Sequence, residues 1–395
     1  MEQRTSSVNT LQLPDMLVGS GYGDISGISN SVRSAPSGTV FADISNVSWM
    51  LQLENSNILM NNELGTDASS GELYIVNNSG VQTDSFNLME QGLAGPVYFC
   101  KYKNNIYVAC YGYWNDISSA GIFYFNQDNP IKSGTAYPSL STSVTGHSNI
   151  HMIDIFKPAD TKVNPFLLAV DLGAKCIYKI NPDDGVHFNA KVYSFKHQHL
   201  FPRHFVQIPN TNYIALITER GDPPAEVGNN KNQTLVIILE YNDSMSMFQK
   251  IDYDIDLGDE FIDKKNILNG ITGAEIKYVN HSIYVTVRGY TEPYKNWQTK
   301  PENGLFVKLN VDENTGKLSL NSYIEVGKDP RYFTIQDNIA YVANHLGTDE
   351  YDEKNPKPGD ISMITLPLEP DMILKEEDAQ VVHLGNIYPV FILLQ

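Results

Sequence analysis

Hydrophobic positions in this chain gather in short continuous runs that recurrently end on a glycine. "NIYVACYG" (105–112) is echoed by "NILMNNELG" (57–65), "FLLAVDLG" (166–173), "YIALITERG" (213–221), "SIYVTVRG" (282–289) and "IAYVANHLG" (339–347), and near the N-terminus by "DMLVGSGYG" (15–23). An apolar, partly β-branched run closed by glycine predicts a strand stopped by a turn. Another short apolar run goes before: "VSWMLQL", "PVYFCKY", "IHMIDIF", "PRHFVQI", "AEIKYV" and "PRYFTI", with "YPVFILL" (388–394) near the C-terminal end. Most are followed by a third, such as "GELYIV", "GIFYFN", "KCIYKI", "TLVIIL", "GLFVKL" and "DISMITL". The unit is three or four antiparallel strands joined by tight turns, with no helical periodicity.

Spacing turns the repeat into an architecture. The third residue of each first strand is Trp49, Tyr98, His151, His204, Glu275, Tyr332 and Val390, at steps of 49, 53, 53, 71, 57 and 58 residues. The 5 residues after Val390 and the 49 up to Trp49 together make 54, one further unit, so the repeat closes on itself. Closure leaves no unpaired strand edge in the ring. The expectation is an all-β protein, a seven-bladed β-propeller with residues 1–395 as one domain. Its last blade is closed by the C-terminal strand pairing with N-terminal strands. The closing unit is the weakest, since "DISGISNSVRSAPSG" makes a poor third strand. The step of 71 reflects the insertions "RGDPPAEVGNNKNQ" and "IDYDIDLGDEFIDKKNILNG".

Composition narrows the function. With 42% hydrophobic and 19% charged residues, the 395-residue chain can bury a large core. A net charge of −18 sets aside nucleic acid and anionic membranes as partners. An anionic substrate would need its own cluster of basic groups. Cys100, Cys110 and Cys176 are odd in number and show no paired spacing, which fits a reducing compartment. No apolar signal core or bilayer-length run is present, so the expectation is a soluble cytoplasmic protein, monomeric or homodimeric.

In an antiparallel pair, the start of the first strand and the end of the second lie side by side. Strand starts contribute His151, Arg203, His204, Glu275 and Arg331; strand ends contribute Glu63, Asp171, Glu219, Arg288 and His345. Any one of these could be an ordinary cap or ion pair. Recurrence at equivalent positions of six units predicts a polar pocket at one rim of the central channel. Arg220, next to Glu219, is expected on the opposite face of its strand.

The stretches "GHSNIHMIDIFKPADTKVNPFLLAVDLGAKCIYKI", "PRHFVQIPNTNYIALITER", "AEIKYVNHSIYVTVRG" and "DPRYFTIQDNIAYVANHLGTD" resemble the repeat signatures of the lactonase family of seven-bladed propellers. That family includes the propeller-type 6-phosphogluconolactonases and carboxymuconate lactonizing enzymes. The resemblance covers nearly the whole chain, departing around residues 23–45 and 113–121. It implies four catalytic residues: His151 of "IHM", Arg203 of "PRH", Glu219 ending the next strand, and Arg288 of "VRG". His204, Glu275, Arg331 and His345 would shape the substrate pocket or orient the first four, with Asp171 and Glu63 completing the substrate-binding set. Arginines suit anion binding and oxyanion stabilisation. His151 and Glu219 would share the proton transfers, and the sequence leaves open which is base and which is acid.

The leading expectation is a metal-independent lactonase without cofactor, acting on a small anionic sugar lactone such as 6-phosphogluconolactone. The alternatives are a muconate cycloisomerase and a non-catalytic propeller that binds a metabolite or a protein. Lys295, Lys300 and Lys354, on loops able to reach over the rim, favour the larger anion. His197 and His199 share a strand spacing that could hold zinc, but no Cys or acid stands nearby at ligand spacing. "VGSGYGD" misplaces the glycines of a dinucleotide loop, and no G-x-S-x-G elbow is present.

Overall fold

The structure is a computed structural model that describes residues 14–21, 31–63, 71–112, 119–138, 148–182, 190–221, 234–251, 254–292, 300–346, 358–366, 368, 373–374, 379–383 and 389–395. Most of the rim insertions, with Lys295, Lys354 and the residues 222–233, lie outside these.

Apolar runs become strands buried on both faces, because each blade is sandwiched between two others. Phe166–Asp171 is buried at every position, as are Ile58–Asn62 and Ser282–Tyr290. One blade shows the plan: Ile150–Phe156, Phe166–Asp171, Cys176–Ile180 and Ala190–Ser194 pair in that order. The strands Met50–Gln52, Pro96–Tyr102 and Leu200–Gln207 begin three further blades of the same antiparallel form.

The next two blades are fused. Leu318–Gln336 runs through "VGKDPRY" as one strand of 19 residues. Its first part is the fourth strand of the blade begun by Gly270–Val279, and its second part pairs with Ile339–Leu346 as the inner strand of the next. Asp329, with φ of +51°, marks the bend between the two roles. The acidic insertion adds a short helical segment at Asp259–Lys264.

Pro389–Leu394 pairs antiparallel with Met16–Ser20, in register from Met16 opposite Leu394 to Gly19 opposite Phe391, with a shift that then sets Ser20 opposite Pro389. Val32–Ala35 and Val40–Ala42 complete that blade. Together with the fused pair this makes seven blades. Apolar clusters fill the wedges between neighbours: Phe205 and Leu216 meet Met152 and Leu168, and Ile217 and Val236 meet Ile276 and Val285. Around the join, Met16, Phe391 and Ile392 pack with Met60 on one side and Tyr341 on the other. The ring is therefore held by continuous burial as well as by backbone pairing.

Candidate active site

Consecutive residues on a regular strand face opposite ways, so one strand should offer the channel every second side chain. Here the inner strands break that rule at a shared place. The ladder skips Val97 between Pro96 and Tyr98, His151 between Ile150 and Met152, Arg203 between Pro202 and His204, and Arg331 between Pro330 and Tyr332. Val390 is skipped in the closing blade, and Ala274 with Glu275 in the blade of Gly270–Val279. Each is a β-bulge, which re-aims a side chain. Val97, His151, Arg203, Arg331 and Val390 all line the central cavity, and so do His204 and Tyr332 directly after two of them. The bulge is what lets neighbours such as Arg203 and His204 enter one pocket together.

The cavity measures about 40 Å³ and is also lined by Ser48, Trp49 and Glu63. A single water needs roughly 10–15 Å³ measured this way, so the space suits a reacting group and a water, with the rest of a ligand at the mouth. Aromatic rings close its floor. Trp49 contacts Tyr98, Tyr332 and Phe391 at centroid distances of 4.0, 5.4 and 4.6 Å.

His151 Nδ1 lies 3.0 Å from His204 Nε2, and His204 Nδ1 lies 3.2 Å from Glu275 Oε1. Glu275 Oε1 also accepts from the Ile276 amide, and the Glu275 amide donates to Thr286 Oγ1 within the bulge. Burial works against the charge on Glu275, but His204 and Lys277 overcome it and hold the carboxyl below its ordinary value. Burial, with Arg203, His204 and Arg331 nearby, pushes His151 well below an ordinary imidazole. His204 is lowered too, by burial that its Glu275 partner only partly offsets.

Across the pocket, Glu219 sits between two guanidiniums. One oxygen accepts from Arg203 Nη1, and the other is 3.6 Å from Arg288 Nη2. Burial alone would raise this carboxyl, but the two arginines bring it down to about 2. The arginines are held from behind: Arg203 Nε donates to Ala274 O at 3.0 Å and Arg288 Nη2 to Gly273 O at 2.9 Å. Residue 273 is a glycine packed against the strand that carries Glu219, since a Cβ there would stand 2.3 Å from Thr218 O.

Of the ten residues expected at the rim, Glu63, His151, Arg203, His204 and Arg331 line the cavity. Glu275 and Glu219 contact two of these, His204 and Arg203, and Arg288 stands 3.6 Å from Glu219. His345 is one contact further out, its Nδ1 2.9 Å from Asp329 Oδ2 and its Nε2 3.3 Å from Gly21 O. Asp171 departs from the expectation of a substrate-binding role. It is fully buried and accepts from Ser148 Oγ at 2.5 Å and from the amides of Asn149 and Ala174 at 2.9 and 2.7 Å. Its carboxylate ties down the loop before the His151 strand instead of facing the cavity. Arg220 is half-buried, its guanidinium 4.9 Å from the Phe201 ring centroid. His199 is exposed, and the side chain of His197 lies outside the described residues.

Two residues escaped the sequence reading. Asp329 bonds His345 and stands 3.8 Å from Arg288 Nε. Tyr111 meets the His151 ring edge-on at 5.6 Å, at the strand-end position that Glu219 holds two blades on. A tyrosine carries no charge at neutral pH, so a pattern of Asp, Glu, Arg and His at strand ends does not reveal it.

Residues 34–349 match the sequence profile of the family described as Lactonase, 7-bladed beta-propeller. The chain belongs to this lactonase family. Solved structures agree on the fold. A candidate 6-phosphogluconolactonase from Bacteroides uniformis is 17% identical, with 96% of this chain and 98% of that one covered and a TM-score of 0.58. The Pseudomonas aeruginosa periplasmic gluconolactonase PpgL is 15% identical over the same shares, at 0.64. A hypothetical selenium-binding protein from Sulfolobus tokodaii is 10% identical, with 98% and 94% covered, at 0.62. No curated protein sequence matches this chain. At such identities the likenesses show the propeller fold and leave chemistry to the site itself.

Proposed function

We propose that this lactonase-family chain hydrolyses a small anionic sugar lactone, with 6-phosphogluconolactone as the first candidate. The observation that carries the reading is one cavity flanked by an uncharged imidazole, His151, and two guanidiniums, Arg203 and Arg331. Lactone opening needs a group to take a proton from water and fixed positive charge where the carbonyl oxygen becomes negative. Water oxygen bonds the carbonyl carbon as its proton leaves, the ring C–O bond breaks, and the proton passes to the departing oxygen. The product is the open-chain hydroxy acid. Arg203 and Arg331 meet the oxyanion or the substrate's own anionic group, and Glu219 and Asp329 keep the arginine cluster from repelling itself apart. The printed names of two structural relatives, a gluconolactonase and a candidate 6-phosphogluconolactonase, support a sugar lactone. Three buried unpaired cysteines support a reducing, cytoplasmic setting.

The test follows acid release from 6-phosphogluconolactone and from unphosphorylated gluconolactone, above the spontaneous rate. Wild type should accelerate the first more than the second, and Arg331→Ala should raise KM for the phosphorylated substrate. Acceleration of neither overturns the reading. Cyclisation of a carboxymuconate instead would replace lactone opening by lactone formation.

A further inference from the structure

A histidine acts as a base only if the nitrogen facing the substrate carries no proton, and a second hydrogen bond sets which nitrogen that is. In this pocket the setting can be followed outward from a carboxylate. Glu275 accepts the Ile276 amide and is held ionised by its basic neighbours, so the ring nitrogen 3.2 Å from Oε1, His204 Nδ1, must donate. A neutral His204 with its proton on Nδ1 has only a lone pair at Nε2. The nitrogen 3.0 Å away, His151 Nδ1, must then be the donor of that bond. Neutral His151 is left with a bare Nε2. Among the described residues that atom has no hydrogen bond, and it is not among the buried polar atoms left without a partner. It belongs to a ring that lines the cavity.

We propose that His204 and Glu275 are positioning residues that lock His151 in the tautomer protonated on Nδ1, presenting its Nε2 lone pair to the cavity as the proton acceptor. The assignment rests on the lactonase reading and settles a role within it. Water gives one proton to His151 Nε2 as its oxygen bonds the carbonyl carbon. The imidazolium so formed is steadied through His204 by Glu275, and it returns the proton to the ring oxygen when the C–O bond breaks. Glu219 is then a charge-balancing clamp for Arg203 and Arg288. A carboxylate with both oxygens turned to guanidiniums, and held near 2, has little affinity for the proton of water. The groups facing His151 are Arg203, His204, Arg331 and the Tyr111 ring edge, with Glu63 lining the same cavity, and among the described residues no carboxylate bonds its ring.

The experiment reads the tautomer and the rate separately. Protein labelled with ¹⁵N-histidine is compared with His151→Gln by NMR to assign the His151 ring, in wild type, Glu275→Gln and Glu275→Leu. The wild type should carry the His151 proton on Nδ1. Glu275→Gln keeps an acceptor at the Oε1 position and should keep the tautomer, whereas Glu275→Leu should shift His151 toward the Nε2-protonated form. Lactone turnover should fall about a hundredfold in kcat for His204→Phe and Glu275→Leu, with KM changed less than about threefold, the scale of losing acid–base catalysis. Circular dichroism establishes that each variant is folded. A wild-type His151 protonated on Nε2, or an unmoved tautomer in folded Glu275→Leu, overturns the proposal whatever the activity. A wild type with the expected tautomer but no lactone turnover overturns the functional reading and leaves the locked histidine standing.

Discussion

Glu219 and Arg288 meet across a blade boundary, with Oε1 of the carboxylate 3.6 Å from Nη2 of the guanidinium. The other oxygen accepts from Arg203, so one side chain from one blade holds two cations that would otherwise repel. Removing the carboxylate leaves buried positive charge uncompensated. Glu219→Gln is expected to cost about 3–5 kcal/mol, the range for breaking a buried ion pair, seen as an earlier urea midpoint at pH 7. A midpoint equal to wild type would refute the clamp.

The same pair gives a pH signature. The folded Glu219 carboxyl lies near 2 against an ordinary 4.5. A depressed value means the unfolded chain takes up the proton first, so the stabilisation is complete above the ordinary value and is lost as pH falls toward 2. The difference is worth on the order of 3 kcal/mol. Urea midpoints measured from pH 6 to pH 3 should fall more steeply for wild type than for Glu219→Gln. Parallel slopes would place the acid sensitivity elsewhere.

The imidazole shifts act on activity. Burial and the neighbouring arginines hold His151 well below 6.5, so it stays unprotonated where an ordinary histidine would have gained its proton. The acid limb of kcat/KM should therefore lie below pH 6.5. Arg331→Gln takes away one of the lowering charges and should move the limb upward. A wild-type limb above pH 6.5 would contradict the assignment of His151 as the titrating base.

Much of this was legible in the sequence because a propeller repeats itself. Strand starts and ends align by glycines and apolar runs, which puts His151, Arg203, Glu219 and Arg288 at one rim. What alignment supplies is position along a strand, not direction. Asp171 occupies the right strand end, yet it turns back to bond Ser148, Asn149 and Ala174. The bulges at His151, Arg203 and Arg331 carry no composition cue, since a skipped ladder partner depends on the neighbouring strand. Asp329 was hidden between Gly327 and Pro330, two residues that advertise a turn where the chain keeps pairing.

Asp171 separates architecture from chemistry. Three donors point at its buried carboxylate, and each one left unsatisfied costs about 1–3 kcal/mol. Asp171→Ala should lower stability by about 3 kcal/mol or more, while kcat/KM per folded molecule stays within about threefold of wild type. Thermal unfolding with turnover measured well below the transition distinguishes the two effects. A large loss of kcat/KM in a fully folded variant would return Asp171 to the substrate-binding set.

The ring's join is the last element open to test. Val390, Phe391 and Ile392 of the C-terminal strand are each nearly fully buried. Burying such side chains is worth about 1.5–3 kcal/mol apiece, and a whole domain is stable by only about 5–15 kcal/mol. Deleting residues 389–395 also bares the edge of Met16–Ser20, whose ladder they complete, and removes Val390 from the cavity wall. The truncated chain should lose its cooperative thermal transition and its turnover together. A synthetic peptide of residues 389–395 should restore part of both, because the missing strand needs no covalent link to pair. A truncated chain that still melts cooperatively near the wild-type temperature would show that the wedges between blades hold the ring without its seventh inner strand.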